Sequence, residues 1–236
     1  LDPNFFTTLA FVALTPEGER SFSFARKPGA DTQLSREELS PDVLKHTKIF
    51  HVGSLSLTDE PARSATFYAV EEAKEAGAVI SYDPNYRPLL WPDEETAIHH
   101  MRSMVPYADI MKISDEETVL LSGKEDPREA AKALLEAGVS CVVVTLGGDG
   151  ALLMTKQIEV QEKGKARNVV DTTGAGDSFW GGLLSRLALN NVKPEDLTEE
   201  QAREYLKFAN AVAGLCVEKR GAIPAMPTLE QVMNEL

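Results

Sequence analysis

Residues 171–182 read DTTGAGDSFWGG: three small residues, Gly174-Ala175-Gly176, stand directly before Asp177, and an apolar run follows. Glycines give up side-chain packing and carry a high backbone entropy, so a chain spends them where the backbone must turn tightly or come close to something. The stretch predicts a tight turn entering a helix from about residue 174 to 190, with Asp177 in its first turn. Two readings follow from these residues. An acid in the first turn complements the positive end of the helix dipole. Alternatively, the unspent N–H groups of residues 174–176 face a bound anion. Asp177 would then take the proton from a hydroxyl attacking a phosphoryl group. The spacing is neither Gly-x-Gly-x-x-Gly nor Walker A, since no lysine stands where a P-loop needs one.

Outward from this stretch, strands and helices alternate. TTLAFVAL (7–14) and SFSFA (21–25) read as two strands joined by TPEGER, whose Pro-x-Gly chemistry suits a hairpin. Ser35 and Glu38 form a capping box that opens SREELSPDVLKH as a helix. KIFHVGS, AVISYD, ADIMKI, SCVVVTL and GALLMT read as strands. EPARSATFYAVEEAKEAG is an amphipathic helix stopped by Gly77. Further helices cover DEETAIHHMRSMV, SDEETVLLSG, DPREAAKALLEAG, about 198 to 219, and a short segment after Pro227. The pattern in KQIEVQEKGKARNVV is too poor to assign a strand. Continuous Val/Ile/Leu strands separated by helices imply an α/β fold with a mostly parallel sheet covered on both faces. In such sheets ligands sit beyond the carboxyl ends of the strands, which places the loops after 53, 82, 112, 145 and 170 on one rim.

The chain has 236 residues, 43% of them hydrophobic, enough for one large α/β domain. A net charge of -13, with no local basic patch, argues against a nucleic-acid partner. It does not exclude a nucleotide, because backbone amides and a metal ion supply a local positive field. The longest apolar run, CVVVTL, is far too short to cross a membrane, and LDPNFFTTLAF lacks the pattern of a signal peptide. Cys141 and Cys216 sit in apolar contexts with no ligand spacing, as reduced core residues of a cytoplasmic protein do. Trp91 and Trp180 read as core or pocket wall, and the four histidines show no metal spacing, with His99 and His100 facing solvent.

The whole dodecamer closely resembles the second signature of the ribokinase-like carbohydrate and nucleoside kinases, the PfkB family. That resemblance implies a three-layer αβα sandwich with a small β lid. It assigns catalysis to Asp177 as base and to the amides of Gly174, Ala175 and Gly176 as an anion hole. Asp171 and Thr173 match positions that help hold a monovalent cation, potassium in many members, and RGAIPAMPT resembles the turn whose carbonyls share that task. On the residues alone, Asp171 is equally a turn-stabilising carboxylate. VVVTLGGDGALL resembles the nucleotide-side strand and turn, which lays Thr145, Gly147 and Gly150 along ATP. In KISDEE, Ser114 replaces the family's asparagine and Glu117 keeps the acid that orders Mg2+ through water; the same pair is a capping box for the next helix. Asn210 in FANAVAG matches an asparagine near adenine.

Asp83, Asn85 and Arg87 in SYDPNYRPLLW resemble the substrate-binding pattern of the fructokinase and 2-keto-3-deoxygluconate kinase branch. FSFARKPGAD resembles the fructokinase hairpin, with Arg26 where the lid meets the sugar. The resemblance thus implies an ATP-dependent sugar kinase, with fructose as the acceptor and the keto-deoxy sugar acid as the alternative. A catalytically silent sugar- or nucleotide-binding regulator is the reading from another class, and the intact Gly-Ala-Gly-Asp argues against it. By analogy, lids of this type pair in homodimers. The family's amino-terminal βαβ units, with a substrate-binding aspartate and a Gly-Gly-x-x-x-Asn-type signature, have no counterpart here. The expectation is a kinase domain over 1–236 lacking those units, with 7–26 as the hairpin of the lid.

Overall fold

The computed structural model describes residues 3–14, 20–27 and 29–236. The chain divides into two compact units, residues 1–108 and 109–236. In the first, β1 (Leu9–Leu14) and β2 (Arg20–Ala25) pair antiparallel, in register from Leu9↔Ala25 to Leu14↔Arg20. The expected hairpin is therefore present, although its Pro16-x-Gly18 turn lies outside the described residues. Phe22 and Phe24, two apart and so on one face, stack with ring centroids 6.1 Å apart. Phe11 and Val12 are exposed.

The Ser35/Glu38 box does form, but it closes a single 3-10 turn rather than starting a helix. Pro41 follows, and its ring disfavours helical backbone at Ser40 (φ -86°, ψ 110°), so the chain must restart. α1 (Pro41–His46) begins there, capped by Ser40. β3 (Ile49–Gly53), α2 (Ala62–Glu75) and β4 (Val79–Asp83) make a βαβ crossover, with β3 and β4 parallel and Gly53 opposite Asp83. α2 buries Ala62, Ala65, Ala69 and Ala73 along one stripe and stops at Gly77, where φ is +90°. α3 (Glu94–Met104) starts where the Asp93 carboxylate accepts from the amide of Thr96. His99 is exposed, as expected. His100 is not a solvent-facing residue: it is half-buried with its ring stacked on the buried Trp91, and burial lowers its pKa.

The second unit holds β5 (Ile110–Ser114), α4 (Thr118–Ser122), α5 (Pro127–Glu136), β6 (Cys141–Thr145), β7 (Ala151–Thr155), β8 (Glu159–Glu162), α6 (Ala175–Asn190), α7 (Glu199–Cys216) and α8 (Leu229–Glu235). β5 and β6 are parallel; β6, β7 and β8 are antiparallel neighbours. The sheet is thus mixed, because the turn at 147–149 sends the chain straight back beside β6 instead of through a helix. β8 was not expected. It buries only Val160 among exposed and half-buried neighbours, which is too little alternation to read. Ile110, Met111, Ile113, Val142, Val143, Val144, Leu152 and Leu153 form the buried apolar layer that the strand runs implied. α6 lies against α7 closely because Gly182 has no side chain: a Cβ there would come within 3.2 Å of Val212.

Gly150 shows a similar constraint more severely. Its φ is +91°, and a Cβ would fall 2.0 Å from the carbonyl oxygen of Glu162 at the end of β8. We expect Gly150→Ala to cost about 2 kcal/mol or more, through strained backbone and a backbone collision. Calorimetry would register this as a clear fall in Tm; an unchanged Tm would refute the packing of β7 against β8.

Candidate functional site

The turn before α6 is built from backbone requirements. Gly174 caps the helix with φ 81° and ψ 2°, the left-handed region that glycine favours. A Cβ there would also sit 2.9 Å from the Cβ of Ala222. The amides of Gly174 and Gly176 have no hydrogen-bond partner among the described residues. Ala175 differs from expectation: its N–H donates to the Thr172 carbonyl at 3.2 Å, closing the turn, so it is not available as a third anion-hole donor in this conformation. Asp177 projects an exposed carboxylate with no side-chain partner among the described residues. The helix therefore presents unspent donors at its positive end beside an unengaged acid.

A cation stands behind them. Lys112, 6% exposed on β5, brings its Nζ to 3.3 Å from the Cβ position of Gly176. Burying an ammonium group is costly unless negative charge or acceptors meet it, and Lys112 is engaged with another group of the protein. The sequence reading missed Lys112. Its signal was a single charge inside IMKI (110–113), an otherwise apolar run.

Asp171 ties this turn to the carboxyl-terminal one. Its Oδ1 accepts from the amide and hydroxyl of Thr173 at 2.9 and 2.6 Å, and its Oδ2 accepts from the Gly221 amide at 3.0 Å. The amides of Val170 and Asp171 both donate to the carbonyl of Val217. The structure thus brings Asp171, Thr173 and Gly174 together with the RGAIPAMPT turn, and Asp171 serves there as a turn-stabilising carboxylate. No group of three or more His, Cys, Asp and Glu suited to a metal is found among the described residues.

The other nucleotide-side positions lie in the same unit. Ser114 and Glu117 make the expected capping box, with Glu117 Oε2 accepting from the Ser114 amide at 2.9 Å and its hydroxyl at 3.1 Å. Thr145 is opposite Ser114 in the β5–β6 register, at the carboxyl ends of both strands. Gly147 is exposed with φ +55°. Asn210 donates to the Glu162 carbonyl at 3.1 Å, the same oxygen that Gly150 approaches. Asn210 also lines a cavity of about 250 Å³ with Glu162, Lys163, Lys165, Arg167 and Lys207. Sequence reading named Asn210 but not the basic wall, of which Lys163, Lys165 and Arg167 lie in the segment it could not assign and Lys207 lies on α7.

In the first unit, Asn85 adopts φ 49°, so Asp83-Pro84-Asn85 is a turn at the end of β4, and Asp83 is 3% exposed. Arg87 donates from Nη1 to the carbonyl of Tyr86 at 2.9 Å and lies 5.6 Å from the centre of the Phe22 ring. Its Nε and Nη2 have no partner among the described residues. Arg26 departs from the expected sugar ligand. It lines a cavity of about 510 Å³ with Phe24, Lys27, Thr32 and Gln33. Yet its guanidinium is committed to Asp31 (2.8 Å), the Thr58 hydroxyl (2.7 Å) and the Leu55 carbonyl (2.8 Å). Partial burial alone would raise the pKa of Asp31; hydrogen bonds from Thr8 and Arg26, with the Arg26 charge, outweigh it and hold the carboxyl below its ordinary value.

A family model described as pfkB family carbohydrate kinase matches residues 2–229. The probable fructokinase-6 (chloroplastic) of Arabidopsis thaliana is 47% identical, covering 100% of this chain and 61% of its own length. The fructokinase of Xylella fastidiosa with bound ATP superposes with a TM-score of 0.90 at 33% identity, over 99% of this chain and 74% of that one. The fructokinase of Vibrio cholerae O395, with fructose, ADP and calcium bound, gives a TM-score of 0.85 at 33% identity, over 95% of this chain and 72% of that one. The α/β fold expected from the sequence is the fold of these kinases. The chain spans less than two thirds of the length of the Arabidopsis relative.

Because Asp171 accepts three hydrogen bonds across two turns, Asp171→Ala should destabilise the chain by about 2–4 kcal/mol. Urea unfolding would measure it; a midpoint within error of the parent would show that the turns hold without the carboxylate.

Proposed function

The chain belongs to the pfkB carbohydrate kinase family, and from that premise we propose that it transfers the γ-phosphoryl group of ATP to a hydroxyl of fructose. The observation that carries this reading is the unengaged Asp177 carboxylate beside the open amides of Gly174 and Gly176, with the Lys112 ammonium at Gly176. Asp177 accepts the proton of the attacking hydroxyl, whose oxygen forms the new bond to phosphorus as the bond to ADP breaks. The two amides and Lys112 donate to the oxygens of the migrating group, where fixed donors in a dry site stabilise developing charge strongly.

The 250 Å³ cavity at Asn210 takes the base end of the nucleotide, and Thr145, Gly147 and Ser114 line its phosphate side. Magnesium bound with ATP would neutralise charge on the β- and γ-phosphates. Glu117 fits an indirect role in ordering its waters, since one carboxylate oxygen is spent on the capping box. Asp171 and Thr173, with the 217–222 turn, are the proposed potassium-holding group. On the sugar side we assign Arg87, whose open guanidinium edge suits hydroxyls, with Asp83 and Asn85 shaping the turn that presents it. Arg26 enters this proposal as the clamp that anchors the hairpin rather than as a sugar ligand. Fructose is favoured over 2-keto-3-deoxygluconate because that clamp leaves Arg26 poorly placed to meet a substrate carboxylate.

Cytoplasm remains the proposed compartment, on the buried and unbridged Cys141 and Cys216; the Arabidopsis relative carries a chloroplastic name. Among the described residues no helix is long and apolar enough to cross a membrane. The hairpin is proposed as a lid and as the contact of a homodimer, since Leu9 and Phe11 on one face of β1, Val12 on the other and the preceding Phe6 leave apolar side chains in water.

A coupled ADP-release assay with fructose, 2-keto-3-deoxygluconate and ribose tests the activity. Fructose should be preferred, and Asp177→Asn should lower turnover by about 10²–10⁴-fold with Tm unchanged. Lys112→Met should lower it by about 10²-fold. Near-normal turnover in Asp177→Asn removes the base assignment, and sugar binding without ADP release favours a silent regulator. Sedimentation should give a dimer that Phe11→Lys with Val12→Lys converts to monomer; a monomeric parent at micromolar concentration refutes the pairing.

A further inference from the structure

Between β8 and α6 the chain runs through residues 163–174, which supply Lys163, Lys165 and Arg167 to the cavity at Asn210 before reaching Asp171 and the α6 turn. Residues 165–169 donate no backbone–backbone hydrogen bond. This wall is therefore held by side chains rather than by a ladder.

Arg167 is the inward anchor. It lies flat on α7 at Gly214, where a Cβ would meet its Nε at 2.8 Å. Its guanidinium reaches Glu218 Oε1 at 3.7 Å and lies 2.7 Å from Glu235 Oε1, close but off the line of a hydrogen bond. Lys165 reaches the same Glu235 carboxylate at 3.1 Å and also donates to the Glu235 carbonyl. Glu235 thus collects two of the wall's cations at the end of α8. Two residues beyond 168, the same segment is fixed to Val217 and, through Asp171, to Gly221. One strand of irregular chain is pinned at both ends, and one of those pins is an ion-pair cluster on α8.

We propose that Glu235 is a positioning residue: by pairing with Arg167 and Lys165 it latches segment 163–170 in place as the wall of the base cavity and so sets the affinity for nucleotide. The inference rests on the reading that this cavity takes the nucleotide. The chemistry is directional. Without the Glu235 charge, Lys165 and Arg167 lose the partner that draws them toward α8, and the like-charged wall of Lys163, Lys165, Arg167 and Lys207 repels itself around the cavity. The segment then samples more positions, and nucleotide binding must re-order it. The sugar side shares no residue with the latch.

The test combines Glu235→Gln, which keeps the shape and removes the charge, with Arg167→Met, which keeps a stem over Gly214. ADP affinity is measured directly by calorimetry, alongside the KM for ATP, the KM for fructose and kcat. Each variant should weaken ADP and raise the KM for ATP by about fivefold, the size expected of a half-buried ion pair. The double variant should lose less than the sum of the two singles, because both remove the Arg167–Glu235 pair, while Glu235→Gln also frees Lys165 and Arg167→Met also frees Glu218. Glu235→Gln should hold kcat and the fructose KM within about twofold, and Glu235→Asp should recover part of the affinity. Unaltered ADP affinity in both singles, additive losses in the double, or an equal rise in the fructose KM would overturn the latch. A parent chain that binds no ADP overturns the nucleotide reading and the latch together; normal parent binding with unaltered variants overturns the latch alone.

Discussion

The carboxylate of Asp171 is the interaction on which the site depends. One oxygen closes the turn over Thr173, and the other reaches Gly221, fifty residues on. This fixes two irregular segments against each other without any strand or helix between them. Gly174 is the second half of the constraint. Its left-handed backbone lets the Ala175 amide close the turn on Thr172 while its own amide and that of Gly176 stay without a partner among the described residues, and its missing side chain admits Ala222. A helix N-terminus is attractive to anions anywhere, but its field is useful for chemistry only when its direction is set to within a fraction of an ångström. Asp171 and Gly174 set that direction from opposite sides of the turn.

Charge placement in this unit follows from the same need. The chain is strongly acidic as a whole, yet Lys112 is buried behind the turn and four basic side chains line the neighbouring cavity. An anion entering here would meet a local positive field inside a protein of strongly negative net charge. Acidic partners temper the cost of that field: Glu218 and Glu235 hold Arg167, and Glu162 holds Arg203. The pKa of Glu235 is lowered chiefly by its contact with Arg167 and then by Lys165. A carboxylate held below its ordinary value contributes stability that is present above the unfolded-state pKa and is lost as pH falls through the folded one. The cluster is therefore intact at neutral pH and dissolves only in acid.

Arg26 shows how a residue singled out in the sequence can have structural partners that the sequence does not display. Its position at the end of the hairpin is as expected, but Asp31, Thr58 and Leu55 satisfy the guanidinium internally. Nothing local in FSFARKPGAD reveals this, since two of those partners lie about thirty residues away. Ala175 is a similar case on a smaller scale. Its amide counts as open in any list of first-turn donors, and only the actual turn geometry spends it on Thr172. β8 was illegible for a third reason, because a strand that buries one residue leaves no periodic trace.

What could be read from residue order was whatever depends on near neighbours. The α/β alternation, the capping boxes at Ser35 and Ser114, the stop at Gly77 and the acid after Gly-Ala-Gly all arise from contacts within a turn or two of chain. Tertiary structure decided what depends on residues far apart in sequence. It brought Lys112 to Gly176, tied Asp171 to Gly221, pressed Gly150 against Glu162, and turned Arg26 inward. The physical reason is that backbone propensities act locally, whereas the cost of burying a charge or a polar group is met by whichever partner the completed packing supplies.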